Sequence, residues 1–69
     1  SNTQLKKVAI GDMFERQGSL HMVVNYCHKH APIDDVTICN INTGSVWNVS
    51  GSEYVAVVED CEINYNVKV

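Results

Sequence analysis

Long apolar runs are missing from this sequence: none approaches the roughly 20 residues that a membrane-spanning helix needs. The opening SNTQLKKVAI also lacks the apolar core of a secretory signal. The expected setting is a soluble, reducing compartment, the cytoplasm. Cysteine is scarce and odd in number, since Cys27, Cys39 and Cys61 cannot form a fully paired disulfide framework within one chain. Free thiols suit the same compartment, where Asn48-Val49-Ser50 matches a glycosylation sequon by chance. Positive charge is short as well, five Lys and Arg against eight Asp and Glu for a net charge of −3. Such a surface repels phosphate backbones, and the pair Lys6 and Lys7 is too small to reverse that, so nucleic acid is not an expected partner. Neither a glycine-rich phosphate loop nor a recognised catalytic motif is present, and no cofactor is implied.

Leucine and alanine are rare too, two and three residues, against eleven Val, five Ile and three Thr. β-Branched side chains fit a pleated surface and lose rotamer freedom in a helix, so this balance predicts a mostly β protein. Hydrophobic residues at 45% and charged residues at 19% are those of a chain that folds. With 69 residues it sits near the small end of what folds without disulfides or metals, and self-association would help it. We read a single domain over residues 1–69.

Turn signals at Gly11-Asp12, Gln17-Gly18-Ser19, Asn42-Thr43-Gly44-Ser45, Ser50-Gly51-Ser52 and Glu59-Asp60, and a polar loop from His28 to Asp35, divide the chain into short apolar pieces. Strands are predicted near Lys7 to Ile10, Met13 to Arg16, Leu20 to Cys27, Val36 to Ile41, Ser45 to Val49, Tyr54 to Val58 and Cys61 to Val69. A single helical turn is allowed near Ser50 to Tyr54. Asn42-Thr43-Gly44-Ser45 reads as a hairpin turn, with Gly44 free to take positive φ. In the third piece the simplest inward set is Leu20, Met22, Val24 and Tyr26, which sends His21, Val23, Asn25 and Cys27 to the other face. At the C-terminus Cys61, Ile63, Tyr65, Val67 and Val69 share one face and Glu62, Asn64, Asn66 and Lys68 the other, the period of a half-buried strand.

Short strands, tight hairpins and no crossover helix indicate a small antiparallel meander, closed or half closed into a barrel. The progression VAIGDMFE, GSLHMVVNY, VTICNINTGSVW and SGSEYVAVVED resembles a small Src-homology-3-like barrel. Its cadence is also similar to short accessory proteins of tailed bacteriophages, with a G-D-x-F opening, a glycine turn into a long strand and an N-x-x-T-G hairpin before an aromatic. The resemblance covers Lys7 to about Asp60 and implies a fold, a binding role and, for a phage-encoded chain, the host cytoplasm. Its motifs specify turns, so it carries no functional residue across. A single Trp, in place of the adjacent pair of proline-peptide binders, argues against polyproline capture.

The densest chemistry is in NYCHKHAPIDD, Asn25 to Asp35. Cys27 and His30 have a zinc-ligand spacing that Cys39 and Cys61 would have to complete, but 21 residues separate those two and neither belongs to a tight second pair. Cys61 falls in phase with Ile63 and Tyr65, as a core residue would. Cys27 with His28 or His30 and Asp34 or Asp35 has the members of a thiol-base set, yet strand neighbours point to opposite faces, so an enzyme is not expected. The plainer reading is a merely polar loop; its functional reading is contact with a partner, through His28, Lys29, His30, Asp34 and Asp35. His28 and His30 beside the two aspartates would make such a patch pH-dependent.

His21 reads as a cross-strand surface residue. Glu53, Glu59, Asp60 and Glu62 form an acidic cluster suited to a basic partner. Trp47 and Tyr54 carry the largest apolar surface outside the evident core and are interface anchors if exposed. The sequence therefore predicts an all-β, small antiparallel Src-homology-3-like barrel of five to six strands, with its C-terminal strand completing the barrel or pairing across a homodimer. The function it points to is non-catalytic binding of a host or viral protein. An oligomeric protein that sequesters a small ligand such as a nucleotide signal, with Lys6 and Lys7 at its phosphate, is the alternative, and a small zinc-binding domain comes third.

Overall fold

A computed structural model describes residues 2–30 and 33–68, with the side chains at 28–30 and 33 outside that description. Among these residues the chain is all-β, as the β-branched composition predicts. Six strands, β1 (Asn2–Gln4), β2 (Met13–Arg16), β3 (Ser19–His30), β4 (Ile33–Asn40), β5 (Val46–Ser50) and β6 (Tyr54–Val57), form one antiparallel sheet in the order β1-β6-β2-β3-β4-β5. The sheet is not closed into a barrel; β1 and β5 are its edges.

Local chemistry accounts for the turns. Gln17 and Gly18 both take positive φ, 53° and 75°, which gives the β2–β3 hairpin the twist of its strands. In the β4–β5 turn Gly44 has φ of 77° and donates its N–H to the Asn40 carbonyl at 2.8 Å. The Asn40 side-chain oxygen accepts from the Asn42 and Thr43 N–H groups at 2.9 and 3.2 Å, so this predicted hairpin is built around an asparagine as well as a glycine.

The core is Leu5, Val8, Phe14, Val23, Val36, Ile38 and Val55, with Tyr26, Trp47, Val49 and Val57 packed against it. Fully burying one such side chain contributes about 1.5–3 kcal/mol.

Five sequence expectations need correction. The strand predicted over Lys7 to Ile10 is instead the end of a 3-10 turn, Leu5–Lys7, followed by a turn in which Asp12 N–H donates to the Ala9 carbonyl at 3.0 Å. The reason is the spacing of Leu5 and Val8, both buried. Residues three apart share a face in a 3-10 turn and oppose each other in a strand. The helical turn allowed near Ser50 to Tyr54 is a non-helical turn at Gly51 and Ser52.

The inward phase of β3 is also reversed along its first half. His21 and Val23 are buried, while Val24 is 37% exposed. Val24 is the extra residue of a β-bulge, since Val23 pairs with Ile38 and Asn25 with Thr37. Beyond the bulge the phase shifts by one, and Tyr26 faces the core after all. A second register shift lies between Cys27 and His30. The predicted loop from His28 to Asp35 is mostly strand, because β3 runs to His30 and β4 starts at Ile33.

No strand forms over the described residues of Cys61 to Val69; residues 59–68 are exposed throughout, Cys61 included. The pairing of β6 with β2 ends where Val58 N–H donates to the Met13 carbonyl at 3.0 Å. Just beyond, the chain at Asp12 and Gly11 has turned away to hydrogen-bond with Val23. Nothing is left on that side for residue 60 onward to pair with, and Asp60, with φ of 55°, bends the chain outward.

Candidate functional site

The gap between the sheet edges is bridged by the 3-10 turn. Leu5 N–H donates to the Glu53 carbonyl and Lys6 N–H to the Gly51 carbonyl, both at 2.9 Å, while Gly51 N–H donates to the Asp34 carbonyl at 2.7 Å. Gly51 is thus a backbone junction between the Lys6 turn and the start of β4. Only glycine fits there, because a Cβ would stand 2.6 Å from the Asp34 carbonyl oxygen and 3.0 Å from Lys6 Cβ.

The junction places side chains distant in sequence around one cleft of about 390 Å³, lined by Lys6, Lys7, Tyr26, Asp34, Asp35 and Val36. Val36 is fully buried. Tyr26, half-buried on β3, donates its hydroxyl to the Val8 carbonyl, which ties the cleft wall to the chain leaving the 3-10 turn. Two ammonium groups and two carboxylates make the wall formally neutral. A mixed wall of this kind suits a segment that carries both signs, or a polar group beside an apolar one, better than a polyanion.

The structure brings together only part of the predicted set. Asp34 and Asp35 line the cleft; the side chains of His28, Lys29 and His30 lie outside the described residues, although their backbone continues β3. Tyr54 is 64% exposed on β6 opposite Gln4, away from the cleft lining. Trp47 is half-buried against the core, edge-on to His21 at 5.6 Å between ring centroids and 89° between planes. His21, expected at the surface, is buried and stacks on Phe14 at 5.5 Å and 19°. Its Nδ1 donates to the Ser19 carbonyl at 2.8 Å, since a carbonyl only accepts. The β3 bulge that moved His21 inward is the event the alternation could not carry.

Cys27 and Cys39 are half-buried, and Cys39 lies opposite Met22, five positions from Cys27 along β3, or roughly 16 Å at strand rise. Among the described residues no group of three His, Cys, Asp or Glu is placed to hold a metal ion. The acidic cluster divides: Glu53 accepts from Arg16 Nε at 2.9 Å, a half-buried ion pair that fastens the end of β2 to the turn before β6, whereas Glu59, Asp60 and Glu62 are exposed. Sequence reading named Lys6 and Lys7 as a charge pair and Tyr26 as core; their meeting with the aspartates depends on Gly51, whose tight contacts leave no local signal. No helix among the described residues is long and apolar enough to cross a membrane. No protein-family model, curated protein or solved structure matches the chain.

Proposed function

We propose that this chain is a non-catalytic protein-binding module, a self-associating accessory protein of the tailed-bacteriophage kind that acts on a host or viral protein in the host cytoplasm. One observation carries the reading: Lys6, Lys7, Asp34 and Asp35 converge with Tyr26 on one cleft beside the outer half of the long β3–β4 hairpin. A formally neutral wall with an aromatic and a buried valine is a recognition surface for a partner's side chains. Tyr26 is the anchor and the four charges set which partner is admitted.

Capture from a bacterial lysate on immobilised protein tests this reading. Lys7→Glu and Asp35→Lys should each reduce the specifically captured protein by about tenfold or more, equivalent to about 1.4 kcal/mol, because each reversal places like charges together. Glu15→Lys, on the exposed face of β2, should leave capture unchanged. Equal capture by all three variants contradicts the reading.

The cleft volume favours a second reading, sequestration of a small ligand such as a nucleotide signal, since it falls within the range of small-molecule sites and includes both lysines. The two aspartates weigh against a phosphate-rich ligand. A thermal shift with nucleotides that Lys6→Glu and Lys7→Glu abolish would favour sequestration over protein binding.

A further inference from the structure

The C-terminal segment is exposed and β5 is at an edge of the sheet. Residues 61–68 carry an apolar face of Ile63, Tyr65 and Val67, exposed by 63, 80 and 73%, alternating with Glu62, Asn64, Asn66 and Lys68. A strand with one apolar face is stable only when it covers something.

The edge strand β5 offers the matching site. Gly51 N–H bonds to Asp34 across β4, and Asn40 N–H bonds to Ser45, so by the alternation of an antiparallel ladder Trp47 and Val49 also bond to β4. The N–H and C=O groups of Val46 and Asn48 and the N–H of Ser50 then point away from the sheet, while the Ser50 carbonyl accepts the Glu53 N–H at 3.2 Å. Edge strands are normally blunted by charge, proline or an inward-pointing lysine. Val46-Trp47-Asn48-Val49-Ser50 has none of these, and Val46 is 57% exposed.

We infer that two copies of this chain dimerise by reciprocal strand exchange, residues 61–68 of each adding to the β5 edge of the other. A single chain leaves its own segment exposed although its own β5 edge is open. A second copy supplies donor and acceptor together, and two-fold symmetry makes the contact twice. The added strand sets its apolar face beside Trp47 and Val49, whose outer flank is otherwise the open side of the core. With eight donor and five acceptor residues a side, the contact is smaller than the 20–30 residues a side of a standard interface. The dimer is accordingly concentration-dependent. The inference rests on the self-association in the proposed reading and is independent of the cleft.

Sedimentation equilibrium on the 69-residue chain tests it. The expected result is a species of twice the 7.7 kDa chain mass, with Trp47 emission moving to shorter wavelength as dimer forms. Val46→Lys blocks the edge and Tyr65→Glu spoils the donor; both positions are exposed, so circular dichroism should be unchanged, and Asn48→Lys and Val67→Glu serve as second variants. Each substitution should weaken dimerisation by about tenfold or more. Mixing the Val46→Lys and Tyr65→Glu chains should restore a dimer, because one intact edge then meets one intact donor.

A wild-type chain that stays monomeric at millimolar concentration overturns both this inference and the proposed self-association. A dimer insensitive to both substitutions keeps self-association and overturns the exchange. Sensitivity to only one of the two, or failure of the mixture to recover, also overturns it, since segment-to-segment or edge-to-edge pairing would be the contact instead.

Discussion

Gly51→Ala is expected to lower the thermal unfolding midpoint by about 4–24 °C. Overpacking costs about 1–3 kcal/mol, and one kcal/mol is worth about 4–8 °C in a domain of this size. The added methyl would stand 2.6 Å from the Asp34 carbonyl oxygen, the same oxygen that accepts the Gly51 N–H at 2.7 Å. That oxygen cannot retreat without lengthening the bond that holds β4 to the junction. Lys6 Cβ at 3.0 Å closes the other direction. Gly18→Ala gives the contrast. Gly18 has φ of 75° but open space around its Cβ position, so its cost is conformational and limited to about 1–2 kcal/mol. Thermal denaturation followed by circular dichroism compares them. Equal losses at the two glycines would mean that the junction is not the tight contact described.

Phe14→Ala should cost about 3–5 kcal/mol, the range for removing a buried aromatic ring and a large share of the stability of a small domain. Phe14 is fully buried and is the stacking partner of His21. Removing it opens a cavity and also strips one face from a buried polar ring, whose remaining aromatic contact is the perpendicular ring of Trp47. Phe14→Leu keeps most of the volume and should lose about 1.5 kcal/mol or less. Denaturant titration of both variants, read by Trp47 fluorescence, checks the order. A Phe14→Ala protein as stable as Phe14→Leu would contradict the placement of the ring at the centre of the core.

Much of this architecture is legible in the residues. β2, the body of β3, β4, β5 and β6 follow from β-branched runs between turn signals, and Gly44 at positive φ follows from its hairpin. What the alternation misses along β3 has a single physical origin. A period-two reading assumes an unbroken ladder, and the bulge at Val24 breaks it, so His21 and Val23 turn inward while Tyr26 keeps its predicted side. The 3-10 turn is missed because Leu5 and Val8 share a face only at a period of three. At the C-terminus the pattern is sound, but the chain preceding β2 turns away at Gly11 and Asp12 and leaves no neighbour among the described residues. Of the cleft, the four charged residues are visible as pairs in the sequence. Their convergence is not, since it depends on a backbone crossing at Gly51 that links segments far apart along the chain.

The cleft at the Gly51 junction is the surface at which we propose this protein meets its partner. The direct measurement is an amide proton–nitrogen correlation spectrum of the labelled chain, titrated with the protein it captures. The expected result is a set of perturbed resonances centred on Lys6, Lys7, Tyr26, Asp34, Asp35 and Val36, with Glu15 and Ala56 on the exposed face of β2 and β6 unmoved. Perturbations confined to Glu59, Asp60 and Glu62, with the cleft resonances unchanged, would contradict the claim and assign recognition to the acidic segment instead.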